Sequence, residues 1–186
     1  MSNCNSLVGV PTNCGDNNLG AMKRTLIADF EDVTAITVTD TGSAPDTDGE
    51  ITAVTMASGT KFEDFRFPKD TSMFSQSWVG DLVADTHSYS QTVEMGFRRI
   101  DLRKRNAAML LAEGRRDLIA FCQDFNEDWW ALGTDQGLRL SANEATSNNT
   151  RAAGQAYPIT LTAENERHQW YKVDPTIIDA LLIAAV

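Results

Sequence analysis

Apolar and polar positions alternate most regularly between residues 88 and 141. Tyr89, Gln91, Val93, Met95 and Phe97 fall on one face of an extended strand, and Ser90, Thr92, Glu94, Gly96 and Arg98 on the other. This period-2 pattern marks a half-buried strand. Asp101 stands where a helix N-cap belongs, Leu102 to Glu113 reads as a helix, and Gly114 closes it. An apolar strand follows at Leu118–Cys122, then a turn at Asp124–Asp128, a strand at Trp129–Gly133, a second turn at Thr134–Gly137 and a strand at Leu138–Leu140. The pattern predicts a strand, a helix and a meander of three strands.

The rest of the chain reads as further strands. Lys23–Phe30 and Thr34–Thr39 are separated by a turn at Glu31–Asp32, and Ile51–Met56 and Lys61–Phe67 by one at Ser58–Gly59. Residues 41–49 and 142–155 read as loops, and Pro68 ends a strand or places it at an edge. Met73, Phe74, Trp78 and Val79 support a strand over 71–83. With the strand beginning at Ser88 it forms a hairpin over 72–99, whose polar tip projects from the body. Tyr157–Thr162 reads as the last strand. Residues 1–20 are rich in Asn, Gly and Ser and read as an arm ordered by another surface, and 176–186 as a terminal extension packing on its own domain or a neighbour. Roughly nine or ten strands and one helix make a single mainly antiparallel β domain, a sandwich or barrel with a flanking helix.

Composition narrows the function classes. The 186 residues carry a formal charge of −10, which argues against a free-standing nucleic-acid-binding module. An acidic surface instead suits a protein that nucleic acid passes without adhering. No apolar run approaches the ~20 residues a membrane-spanning helix needs. The first residues lack the basic and apolar regions of a signal peptide, so synthesis in the cytosol is expected. Of the three cysteines, Cys122 lies mid-strand as a small buried hydrophobe, and Cys4 and Cys14 bracket a loop where they could pair, with free thiols the expectation in a reducing compartment.

Candidate chemistry is sparse. His87 and His168 have no Cys or His at ligand spacing and read as solvated side chains. Asp124, Asn126 and Asp128 have the spacing of a calcium loop, but Trp129 stands where its glycine belongs, so a hairpin turn is the better reading. Asp46, Asp48 and Glu50 around Gly49 read as solvated carboxylates. No nucleophile elbow, phosphate-binding loop or dinucleotide fingerprint occurs, and neither an enzyme nor a cofactor or metal is expected. Arg98, Arg99, Arg103, Lys104, Arg105, Arg115 and Arg116 concentrate cations around the helix of an acidic protein. This basic face fits an acidic surface on a neighbouring copy, or is a solvated helix face. In Trp129–Trp130 one indole belongs to the core, and the other needs a cover from a loop or a partner.

The stretch from Leu118 to Leu140, followed by Tyr157-Pro-Ile-Thr-Leu-Thr-Ala-Glu164 and Val173-Asp-Pro-Thr-Ile-Ile178, resembles virion structural proteins of tailed phages that infect Bacteroidetes, including crAss-like phages. Cys14, Asn18-Leu-Gly20 and Asp29-Phe-Glu-Asp-Val33 extend the likeness to the chain's start. The order strand, helix, three-strand meander is also similar to the tail-tube fold, two antiparallel sheets with a flanking helix assembled in rings around a DNA channel. The resemblance implies a non-enzymatic neck or tail ring subunit of the virion, made in the host cytoplasm. It implies a homo-oligomer of about six or twelve copies next to portal, neck or tail proteins, with DNA passing unread through the lumen and no membrane involved. Subunit contacts are then expected at Asp81, Asp85, His87, Arg98, Arg99, Arg103, Lys104, Arg105 and Trp130. A head decoration or fibre-anchoring protein and a carbohydrate-binding sandwich, with Trp78 and Trp130 as platforms, are the alternatives.

Overall fold

The structure, a computed structural model, describes residues 20–39, 48–81, 86–98, 101–113, 116–145 and 156–183. The expected N-terminal arm, apart from Gly20, lies outside them, as do Cys4, Cys14, Asp46, Asp85, Arg99, Gly114, Arg115 and residues 184–186.

Among the described residues eleven strands and two α-helices run in chain order: β1 (Met22–Asp29), β2 (Val33–Thr39), β3 (Glu50–Met56), β4 (Glu63–Arg66), β5 (Met73–Asp81), β6 (Thr86–Arg98), α1 (Leu102–Glu113), β7 (Leu118–Asp124), β8 (Trp129–Leu132), β9 (Arg139–Asn143), β10 (Ala156–Glu166), β11 (Tyr171–Val173) and α2 (Ile178–Leu181). They form a seven-stranded sheet, β2-β3-β11-β8-β7-β1-β4, and a four-stranded sheet, β5-β6-β10-β9. All pairings are antiparallel except that of β11 with β3. This is the mainly β sandwich with a flanking helix that the alternation predicts.

The inner face of β6 is as expected, with Gln91, Val93 and Met95 buried. Val93, Met95, Ile159 and Leu161 of the smaller sheet pack with Ile27, Ala120, Cys122 and Leu132 of the larger. The larger sheet is covered on its other face too. Ile119, Phe121, Trp129 and Ala131 pack there with Phe62, Ile178 and Leu181. Phe62 stacks on Phe121 with centroids 4.8 Å apart, and its backbone N–H donates to the Leu181 carbonyl at 3.0 Å. Burial on both faces explains why β7 is a continuous apolar run and not an alternating one.

Several expectations are corrected. The three-strand meander stops after two strands, because β7 pairs with β8 but β9 joins β10 in the other sheet. Two glycines in the left-handed region, Gly133 (φ 71°) and Gly137 (φ 77°), bend the connection. Leu138 then makes two backbone hydrogen bonds with Leu118, at 2.9 and 2.7 Å, before the chain leaves for the smaller sheet. β9 continues through Ala142 and Asn143, which read as loop. β10 is not the last strand and does not stop at Thr162; it runs to Glu166 past a bulge, and β11 follows in the gap between β8 and β3. The longer β10 also absorbs most of the projecting hairpin. β6 is paired on both sides up to Tyr89, so among the described residues only Val79–Asp81 and Thr86–Ser88 extend as a two-stranded ribbon. The chain end adds the short α2, whose Ile178 and Leu181 pack on the chain's own core.

Candidate assembly surfaces

Edge strands are where a sandwich meets other chains, because their outward N–H and C=O groups have no partner within the sheet. The larger sheet ends in β2 and β4, the smaller in β5 and β9. β4 has four residues, three of them charged, and β9 begins with Arg139. A four-residue edge with three charges resists pairing, whereas β9 carries that one charge, held by Asp117. β2 carries no charge, nor does β5 from Met73 to Gly80. β5 also exposes large apolar side chains: Met73, Trp78 and Val79 are 45%, 55% and 52% accessible.

Trp78 and Val79 take opposite faces of β5. Phe74 and Gln76, on the Trp78 face, reach the interior: Phe74 meets Trp170 edge-on at 5.4 Å, and Gln76 accepts the Trp170 backbone N–H at 2.8 Å. Trp78 continues this face where the covering chain ends, opposite Tyr89. Its indole lies over Gly80, where an added Cβ would fall 2.0 Å from the ring. The other face of the smaller sheet is a field of hydroxyls, including Ser75, Ser77, Ser90, Thr92, Thr160 and Thr162. Its carboxylates, Glu94 and Glu164, have no ion pair among the described residues; of its cations, Arg139 is held by Asp117, and Arg98 stands at the end of β6.

The expected contact residues separate into three places. Asp81 ends β5 opposite Thr86, and His87 lies exposed on the ribbon opposite Gly80; Asp85 is outside the described residues. Arg98 ends β6, and α1 starts at once, capped by Asp101 Oδ1, which accepts the Lys104 N–H at 2.9 Å. That bond and the Lys104 ammonium hold the Asp101 carboxyl below its usual range. Lys104 Nζ also reaches the Arg98 carbonyl at 2.6 Å and Asp101 at 2.9 Å, so it turns back to the strand–helix corner. Arg103 and Arg105 point to solvent, and Arg99 is outside the described residues. Arg116 pairs with Asp29 at 2.5 Å. Trp130 lies apart from these cations. It is half-buried against the inter-sheet core, and its cover is the chain's own Trp170 at 5.9 Å. Trp129 is buried on the opposite face, under the Arg24 guanidinium at 4.7 Å.

An open cleft of about 910 Å³ separates α1 from the β1–β4 edge. Its floor is apolar, with Phe65, Phe97, Leu118 and Ile159, and its rim mixes Arg103, Lys104 and Arg116 with Asp29, Glu63 and Asp64. A rim of both signs offers no uniform field for a charged ligand. Among the described residues no group of three or more His, Cys, Asp or Glu is placed to hold a metal ion. The Asp124 carboxylate is occupied by its own turn, with Oδ1 accepting the N–H groups of Asn126 at 2.8 Å and Asp128 at 3.0 Å. No helix among the described residues is long and apolar enough to cross a membrane.

Sequence reasoning missed two polar groups that join the sheets. Gln91 is fully buried, accepts the Gly133 N–H at 2.9 Å and donates to the His168 carbonyl at 3.2 Å. Glu166 is equally buried, and its two oxygens accept the N–H groups of Asp135 and Gln136, each at 2.9 Å. Gln91 stands out in the pattern as the one amide on an otherwise apolar face; Glu166 lies in a charged run with nothing to mark it. The unprotected β5 edge was legible as eight residues without charge or proline.

A comparison of the chain with protein-family models, curated proteins and solved structures finds no match.

Proposed function

We propose that this chain is a structural subunit of a phage virion that assembles through the edges of its smaller sheet into a ring of the neck or tail. The observation that carries the reading is the β5 edge, long, uncharged to Gly80 and lined by Met73, Trp78 and Val79. A soluble monomer gains nothing from such an edge, whereas a subunit pairs it with a neighbour's sheet and buries it. β9, at the other end of the same sheet, supplies the second edge. A head-to-tail pairing of β5 with β9 closes into a ring when the rotation per copy allows it.

In such a ring, of about six or twelve copies, the hydroxyl face of the smaller sheet lines the channel. Neutral hydroxyls with Glu94 and Glu164 dominate that face, Arg139 is neutralised by Asp117, and Arg98 stands at its end beside α1, so DNA meets little to adhere to, as ejection requires. Residue likeness to phage structural proteins supports the same assignment, with portal, neck or tail proteins as neighbours and the virion as its location. No step of the role calls for catalysis or a cofactor.

Mass photometry and negative-stain imaging of the purified chain test the reading, with Val79→Lys as the edge variant. Rings that Val79→Lys disperses support it. A wild-type chain that stays monomeric at every concentration removes its support. Trp78 favours a second reading, a glycan platform, because an exposed indole stacks on sugar rings. Glycan binding by a monomer, lost in Trp78→Ala, would replace the ring assignment.

A further inference from the structure

We propose that the solvent face of α1 docks on an acidic surface of a second copy of this chain, a contact separate from the sheet edges. The accounting of charges motivates it. Every described Lys or Arg enters an ion pair except Lys69, Arg98, Arg103 and Arg105. Three of these four surround the start of α1, in a chain with 26 acidic and 16 basic residues.

The helix presents these cations together with apolar surface. Asp101, Lys104 and Ala108 form its inward row, with Ala108 fully buried. The outward arc runs through Leu102, Arg103, Arg105, Met109 and Leu110, and Leu102 and Leu110 are 68% and 66% accessible. No acidic residue occurs from Leu102 to Leu110, and the carboxylate of Asp101, four residues before Arg105, is taken up by the Lys104 N–H and ammonium. A solvated helix face carries mixed charges and few leucines. This one carries one sign and three exposed apolar side chains.

The second copy is the occupant that matches. Away from the face proposed to line the channel, Glu31 and Asp32, adjacent in the turn between β1 and β2, have no ion-pair partner among the described residues. A cationic patch on one copy and acidic surface on the next steer association and set its register. Nucleic acid fits less well, because the patch has leucines where base stacking needs aromatics, and the charge of −10 repels phosphate. The same charge repels an anionic membrane surface.

The inference rests on the ring reading for its second copy, and the test separates the two. Sedimentation velocity of the full chain, at low and high salt, compares wild type with Arg103→Glu/Arg105→Glu, Leu110→Ser and Val79→Lys, each checked for an unchanged thermal unfolding transition. The double charge reversal is expected to weaken self-association by about tenfold or more at low salt. High salt does the same to wild type, and Leu110→Ser weakens association at both salt levels. Association unchanged in the charge reversal but abolished by Val79→Lys overturns the α1 contact and leaves the sheet-edge ring standing. Association lost in the reversal but kept in Val79→Lys supports the α1 contact and sinks the edge assignment. A wild type that never associates overturns both. Binding of wild type to duplex DNA or to phosphatidylserine vesicles, lost in the reversal, would assign α1 to that partner and overturn the second-copy contact.

Discussion

Glu166 Oε1 accepts the backbone N–H of Gln136 at 2.9 Å from a carboxylate with no solvent exposure. Its other oxygen takes the Asp135 N–H, so one side chain at the end of β10 fastens the turn in which the chain passes from one sheet to the other. Glu166→Ala leaves two N–H groups without their acceptor, and the expected loss is about 2–4 kcal/mol. Urea denaturation measures it. An unchanged midpoint would show that the clasp contributes nothing.

The pH dependence of this clasp runs opposite to that of the surface carboxylates. Burial pushes the Glu166 carboxyl above its ordinary range, against the hydrogen bonds from Gln136 and Asp135 that pull it down. The folded state therefore holds the Glu166 proton more tightly than the unfolded one. Its contribution is complete below the unfolded value and declines as pH rises through the folded one. Asp117 behaves conversely. The hydrogen bond from Arg139 lowers its carboxyl, so its contribution is present above about pH 4 and is lost on acidification. Stability relative to Glu166→Gln should fall as pH climbs, and stability relative to Asp117→Asn should fall as pH drops. Denaturant titrations across pH, wild type against each variant, read both slopes. Two slopes of the same sign contradict the assignment.

Gln91 and Gly133 join the two sheets at a second point. Gly133 has φ 71°, and an added Cβ would lie 2.8 Å from Leu138 Cγ and 3.0 Å from the Leu118 carbonyl oxygen. Gly133→Ala combines a left-handed backbone with crowding and should cost about 1–3 kcal/mol. Gln91→Leu keeps the volume but strands the Gly133 N–H and the His168 carbonyl, for about 2–5 kcal/mol. The double variant tests coupling, since both changes act on one hydrogen bond. Its loss should be smaller than the two single losses together.

Cys122 should be chemically silent in the folded protein. Its thiol is buried, pushed up to about 12 by desolvation, and lies 3.3 Å from the Thr25 hydroxyl. Because the thiolate is the reactive form, Cys122 should stay unmodified by a thiol reagent at neutral pH until denaturant is added. Peptide mapping by mass spectrometry follows this residue separately from Cys4 and Cys14. Modification under native conditions would mean that the strand opens.

Phe62 closes the outer face of the larger sheet, stacked on Phe121 and joined by its N–H to α2. Phe62→Ala should cost about 3–5 kcal/mol, and Leu181→Ala about 2–4 kcal/mol. Thermal unfolding of both variants checks whether the chain end belongs to the core. A Leu181→Ala transition equal to that of wild type would make α2 a mere appendage.

The sequence by itself determined the β class, the inner face of β6, the Asp101 cap and the span of α1. Each of these is set by neighbours a few residues apart: alternation for a strand, a carboxylate three residues before an N–H for a cap. It also carried the charge asymmetry around α1, since those cations lie close together along the chain. Only the tertiary structure decided that β9 leaves β8 for the other sheet, that three residues at 171–173 form β11, and that Glu166 is interior. Those outcomes depend on partners far away in sequence. β11 is a strand because β3 and β8 leave a gap on either side of it, and Glu166 is buried because the turn at Asp135–Gln136 offers two N–H groups that no other side chain accepts. Local periodicity carries no record of such pairings, because the energy that selects them appears only when the sheets close on each other.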